Sequence, residues 1–292
     1  GNWVRAAELA DWQRKFVVAS EAAETEVKKN YGWHQRRAVH AGATSLLEQI
    51  ASLHGYDKEA LRLNLEALED YPSKGHYNLH HVRMRRLQLL AQTGLGEPEE
   101  LQEGLSWLTD VFEQHVTSKW SSRGTAGQNL RTQIWLLHAQ GREAEALTLV
   151  DELYEMFPEQ KRYTITVELS LADSRGSTAP ELEARFEELL AIYRELGLKI
   201  YEPSLYRLYA AYLYRSGRYI ESIAMQKEAL RLYRALNIHA RAIEALADLA
   251  KYQSAASFES VAAQTRNTLR RKMAEGVYPI PNQMKMKLAE IL

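Results

Sequence analysis

The chain has 292 residues, 46% of them hydrophobic and 26% charged, and a formal net charge of −1. That balance excludes a disordered chain, and near-neutrality gives no global pull toward nucleic acid or an anionic membrane. Cysteine is absent, which excludes disulfides, thiolate metal sites and cysteine nucleophiles and leans toward an exported bacterial protein.

The longest apolar runs, such as residues 16–19, are far too short to span a bilayer. The chain opens on Gly1-Asn2-Trp3 rather than methionine, as expected where a targeting segment or a natural start has been removed. Residues 2–30 carry Trp3, Leu9, Trp12, Phe16 and Val27 in a long amphipathic pattern, which Tyr31-Gly32 is expected to break. Residues 1–32 therefore read as an N-terminal capping helix.

The next stretch, 41–72, has a turn glycine at Gly55, small residues at Ala60 and Ala67, and a stop at Tyr71-Pro72. Proline there ends a helix, because it lacks an N–H and disfavours helix in the residue before it. Residues 75–117 predict a helix to Gln92, a turn over Thr93–Pro98 and a second helix from Glu99. The segment 121–127, which includes Arg123, Gly124 and Gly127, reads as a flexible connector rather than a phosphate cradle. In 128–158 the earlier spacing recurs as Gly141, Ala146, Leu153 and Pro158. Residues 160–197 give a pair with an enlarged turn between Asp173 and Pro180, then Ala184, Ala191 and Leu196. Tyr163–Val167 is the one strand-like run, and its flanks favour helix.

Residues 206–234 are the clearest unit. Tyr206, Tyr209, Ala210 and Leu213 lie on one helical face, Gly217 supplies the turn, and Ile220, Ile223, Ala224, Leu230 and Tyr233 form a second stripe. Ser222 and Ala229 are small and seven residues apart, so they share a face and allow close helix approach. Residues 237–275 make a last pair around Leu246, Ala247 and Ala250, then Val261 and Leu269. Residues 276–292 form an extended segment, forced by Pro279 and Pro281, and a short final helix capped by Asn282.

In three of these units the turn glycine precedes the first small residue by five positions, and seven more lead to the next. That ladder resembles the tetratricopeptide repeat, a helical hairpin that stacks into a superhelix. The resemblance covers most of residues 33–275. It implies an all-α TPR-like solenoid of about six hairpins plus terminal helices, with units longer than the common 34 residues.

No motif supplies an enzyme. There is no Gly-x-Ser-x-Gly elbow, no phosphate-binding Gly-Lys-Ser/Thr loop and no His-Glu-x-x-His. His76, His80 and His81 are the best metal candidates, but Arg83, Arg85 and Arg86 would repel a cation, so they read as polar helix surface. With Lys74 the same cluster is an alternative anion-contacting patch. The run Arg270 to Lys272 reads as a solvated helix end. Neither a cofactor nor a metal is expected, and nucleic-acid binding lacks its basic stripe.

The family commonly binds protein or peptide on the concave surface made by the first helix of each pair. Carried onto this chain, the resemblance places Gln128, Arg131, Trp135 and His138 there in the third pair. The fifth contributes Ser204, Arg207, Ala211, Tyr214 and Arg215, and the sixth Arg241, Glu244, Asp248 and Lys251. The basic members outnumber the acidic ones, so an acidic or extended protein partner is expected. The chaperone-binding subgroup of the family uses asparagines where this chain has Trp135, Ala211 and Asp248, a departure from that pattern. Four tyrosines, Tyr206, Tyr209, Tyr219 and Tyr233, are expected in the core, and Tyr214 on the binding face. The alternative reading is a ligand-sensing module of a larger signalling protein, such as a kinase or transcription regulator.

Overall fold

A computed structural model describes residues 3–22, 29–71, 77–117, 123–274 and 288, and these are helical throughout apart from turns. The elements are α1 (Trp3–Ala22), α2 (Lys29–Leu53), α3 (Asp57–Asp70), α4 (Tyr77–Thr93), α5 (Pro98–Thr117), α6 (Arg123–Ala139) and α7 (Glu143–Met156). After a single 3-10 turn, Pro158–Gln160, come α8 (Lys161–Ser174), α9 (Glu181–Glu195), α10 (Glu202–Arg215), α11 (Tyr219–Ala235), α12 (His239–Ala255) and α13 (Glu259–Ala274). No strand occurs among the described residues, and the strand-like run at 163–167 lies inside α8. No described helix is long and apolar enough to cross a membrane. The chain divides into two compact units, residues 2–164 and 165–292.

One local device closes most of the pairs. Gly55, Gly141 and Gly217 take φ of 81°, 74° and 75°, a left-handed conformation that costs glycine nothing. At Gly217 the N–H donates to the carbonyl three residues back, and Arg218 N–H donates to Leu213 O, five back. The same two bonds recur at Gly55 and Gly141. This is the Schellman closure, which satisfies carbonyls left open at a helix end. Asn237 and Ser257 adopt it as well, at φ 57° and 64°, although neither is glycine. In the C-terminal unit the left-handed residues Gly197, Gly217, Asn237 and Ser257 therefore fall every twenty positions.

Behind the turns at Gly55, Gly141 and Gly217 the packing repeats. Ala60, Ala67, Ala146, Leu153 and Ala229 are fully buried, as is Ser222. Ser257 extends the ladder, because Ala262 and Leu269, five and then seven residues on, are also fully buried. Buried amides join one pair to the next: Asn64 Nδ2 donates to Val82 O (3.2 Å) and Gln226 Nε2 to Ala245 O (2.8 Å). Each ties the second helix of a pair to the first helix of the following pair and leaves that donor satisfied.

Several expectations change. Tyr31-Gly32 does not break a helix; α2 runs through both, since a glycine costs only about 1 kcal/mol within a helix held by its other residues. Leu9 and Trp12 are exposed, and Ala10 is the buried residue on that stretch of α1. In α9 the buried positions include Leu182, Phe186 and Leu189, whereas Ala184, Ala191 and Leu196 face solvent. The enlarged turn around Gly176 (φ 67°) shifts the register by two residues. In α11, Ile220 and Ala224 are exposed, and Ser222 and Gln226 take the buried places. Val261 is likewise exposed beside buried Ala262. Residues 123–127 open α6 rather than forming a connector, while Ser121 lies outside the described residues. The proline segment 278–281, Asn282, His76 and Lys74 also lie outside them.

Because Ala229 has no exposed surface, Ala229→Leu should overpack its contact and cost about 1–3 kcal/mol. Lys227→Leu, two residues away and exposed, should change stability by less than about 0.5 kcal/mol. Chemical denaturation of both variants checks the register, and equal midpoints would refute it.

Candidate functional site

The expected binding residues fall on α6, α10 and α12, the first helices of their pairs. In the C-terminal unit the structure brings most of them together. Arg207 on α10 donates through Nη1 to Glu244 (2.5 Å) and through Nε to Asp248 (2.7 Å), both on α12. Arg241 also donates to Glu244 (2.9 Å). Two turns further along α10, Arg215 donates to Asp173 (2.7 Å), at the end of α8.

These pairings set the charge state of the cluster. Burial acts to weaken the charge on Arg207, but Asp248 and Glu244 outweigh it and hold the guanidinium protonated. Burial also acts to raise Glu244, and Arg207 and Arg241 override it, so the carboxyl sits below its ordinary value. The face is thus a lattice of internally matched charges. A carboxylate arriving from outside must compete with Glu244, Asp248 and Asp173 for the same donors.

Beside the lattice lies an aromatic step. Tyr214 stacks on Tyr252 with ring centroids 4.7 Å apart, and the Lys251 ammonium lies 4.9 Å from the Tyr214 centroid. Tyr214 is half-buried and Lys251 exposed. Burial first, and Asp248 next, push the Tyr252 phenol above its ordinary value, so it remains a neutral hydrogen-bonding group. Of the tyrosines expected in the core, Tyr206, Tyr209 and Tyr233 are buried and Tyr219 is not; Tyr193, Tyr212 and Tyr252 are buried instead.

The N-terminal unit holds Arg131, Trp135 and His138 on α6. Gly127 begins their arrangement: a Cβ there would lie 2.3 Å from Gln160 Oε1, so only glycine lets Gln160 settle on the helix. Gln160 Nε2 donates to Arg123 O (2.8 Å), and its Oε1 accepts from Arg131 Nη1 (2.6 Å). The Arg131 guanidinium lies 4.6 Å from the Tyr163 ring centroid, and that of Arg162 lies 4.3 Å from the same ring. Burial, and then Arg162, lower the Arg131 pKa to about 10 even with Tyr163 opposing. Trp135 is buried with its Nε1 lacking an acceptor. His138 is paired with Glu143 and meets the Trp135 ring edge-on.

The histidines divide differently from expectation. His80 Nδ1 accepts from His115 Nε2 (2.9 Å), and His81 pairs with Gln128 Oε1 (2.6 Å). His80 also meets Trp107 edge-on. The Arg83 guanidinium lies over the Trp107 ring, 4.1 Å from its centroid. His80 and His81 therefore serve interhelical packing. A different trio, His40, Glu66 and Asp70, brings its ligand atoms within 4.8 Å of one another. Glu66 is already held by Arg14 and by Arg62 (3.1 Å), and His40 by Asp70. Two guanidinium groups on one ligand oppose a cation, so charge pairing is the better account of this trio.

Sequence reasoning missed Asp173, Tyr252, Gln160 and Tyr163. Their only signal is position: each lies a helix or more away in sequence from the residue it contacts. Neither a family model nor a curated protein matches this chain.

Proposed function

We propose that this chain is a non-enzymatic binding scaffold of the tetratricopeptide type, in which helical pairs stack as a solenoid within each unit. The observation that carries the fold reading is the recurring left-handed turn followed at five and twelve residues by buried small or aliphatic side chains. The observation that carries the function is the α10–α12 face. There, half-buried arginines and a half-buried Tyr214, stacked on the buried Tyr252, lie on the first helices of successive pairs.

A protein or extended peptide fits this surface better than a small substrate does. The described part of the face offers flat aromatic area on a surface already fixed by its own ion pairs, which lowers the cost of ordering a partner. Tyr214 provides that area at little entropic cost, as binding hot spots do. Arg207 and Arg241 act mainly as scaffolding for the face, because their donors are committed to Glu244 and Asp248.

The test therefore avoids Arg207, whose reversal to Glu would set three carboxylates together. Tyr214→Ala combined with Lys251→Glu alters exposed or half-buried groups and leaves the ion-pair lattice in place. With the folded double variant as bait, capture of partners seen with wild type should fall about tenfold, the loss of one hot-spot contact. Undiminished capture of every partner would remove this face as the binding surface.

A further inference from the structure

We infer that Arg131, together with Gln160, Tyr163 and the first turn of α8, forms a subsite for a side-chain carboxylate of an acidic polypeptide. The occupant's identity rests on the scaffold reading; the anion site itself rests on geometry alone. In the C-terminal unit Arg207, Arg215 and Arg241 each have a carboxylate partner within 2.9 Å. Arg131 differs. Among the described residues its one hydrogen bond is from Nη1 to the neutral Gln160 amide, and no carboxylate lies within ion-pair reach.

The Nε and Nη2 edge of Arg131 makes no hydrogen bond, yet neither atom is among those sealed from solvent. That edge is the planar fork that matches a carboxylate in bidentate fashion. A second guanidinium, Arg162, shares the Tyr163 ring, so two cations flank one phenol. The first turn of α8 carries no acidic residue, and the helix N-terminus adds positive potential there. Tyr163 is 42% exposed, which leaves the ring open to an incoming chain. One turn along α6, Trp135 holds a buried indole N–H without an acceptor, a second unmet donor beside the site. Gly127 and Gln160 fix the arginine from behind, so the fork is held before any ligand arrives.

The experiment titrates the 292-residue chain with succinate, with C-terminally amidated oligoglutamate and with oligoglutamine bearing a free terminal carboxylate. The Arg131 Nε–H resonance is followed by nuclear magnetic resonance. Succinate and amidated oligoglutamate should shift it in a saturable way that added salt weakens. Arg131→Gln should bind amidated oligoglutamate at least about tenfold more weakly, as expected for a lost charge-assisted pair, while Arg231→Gln should match wild type. Arg131→Lys keeps the charge without the fork and should fall between them, which covers a glutamine variant that fails to fold. An unmoved resonance, or equal affinity for wild type and Arg131→Gln, would overturn the site. A response confined to oligoglutamine would overturn the side-chain assignment in favour of a chain terminus. The titration involves no cellular partner, so its failure is separable from failure of the Tyr214 and Lys251 capture experiment.

Discussion

Phe186→Ala should destabilise the C-terminal unit by about 3–5 kcal/mol, the usual cost of deleting a buried aromatic ring. Phe186 is 2% exposed and lies parallel to Tyr209, ring centroids 4.7 Å apart, with Tyr212 at 5.6 Å. Deletion forfeits the apolar transfer energy, leaves a cavity and removes an aromatic stack that adds about 0.5–1.5 kcal/mol beyond area. Tyr209 cannot relax freely into the space, because its hydroxyl donates to Glu183 (2.9 Å), which Arg218 also holds (2.7 Å). Urea denaturation should show the loss, whereas Leu196→Ala, at a position 52% exposed, should cost under about 0.5 kcal/mol. A Phe186→Ala loss below about 1 kcal/mol would mean that this aromatic cluster is not the core of the pair.

Acid should weaken the N-terminal unit well before its carboxylates titrate, and His115 is the reason. It is 4% exposed, and its environment admits only the neutral ring. Asn129 Nδ2 donates to His115 Nδ1 (3.1 Å), and Gln133 donates to Asn129 Oδ1 (2.7 Å), fixing the amide. The proton therefore resides on Nε2, which donates to His80. A second proton would have to enter on Nδ1, directly against a donor. Burial first, then the neighbouring His80 and His81, hold the His115 pKa down at about 4, from an ordinary 6.5. The unfolded chain takes up a proton as pH falls below 6.5, and the native state does not until about 4. Stability from this group is thus complete above 6.5 and declines between the two values, by up to about 3 kcal/mol. His115→Gln should flatten the pH dependence of unfolding across that window, even if its stability at neutral pH is lower. Parallel wild-type and variant curves would refute the assignment. His80 shifts downward for the same leading cause, burial, so His80→Gln should give a smaller flattening.

Helices and their closing turns are local matters, and the sequence determines them well. At Gly55, Gly141 and Gly217 a left-handed φ ends the helix, and five residues later a small side chain is buried. Gly55, Gly141 and Gly217 were legible for that reason. Asn237 and Ser257 occupy the same conformation without a residue type that announces it, and Gly176 stretches its turn enough to move the buried stripe of α9 to Leu182 and Leu189. Those registers depend on what each helix meets.

The character of the candidate site was decided by tertiary structure alone. In sequence, Arg207, Arg215 and Arg241 count as three cations facing a partner. In the fold, carboxylates 41 and 42 residues away in sequence neutralise Arg207 and Arg215. Arg131, with no greater claim by sequence, is left facing Tyr163 and a neutral amide. Composition and spacing fix which residues lie on the first helices. They do not fix which charges meet, because a guanidinium reaches its partner across helix–helix contacts formed only after the pairs have stacked.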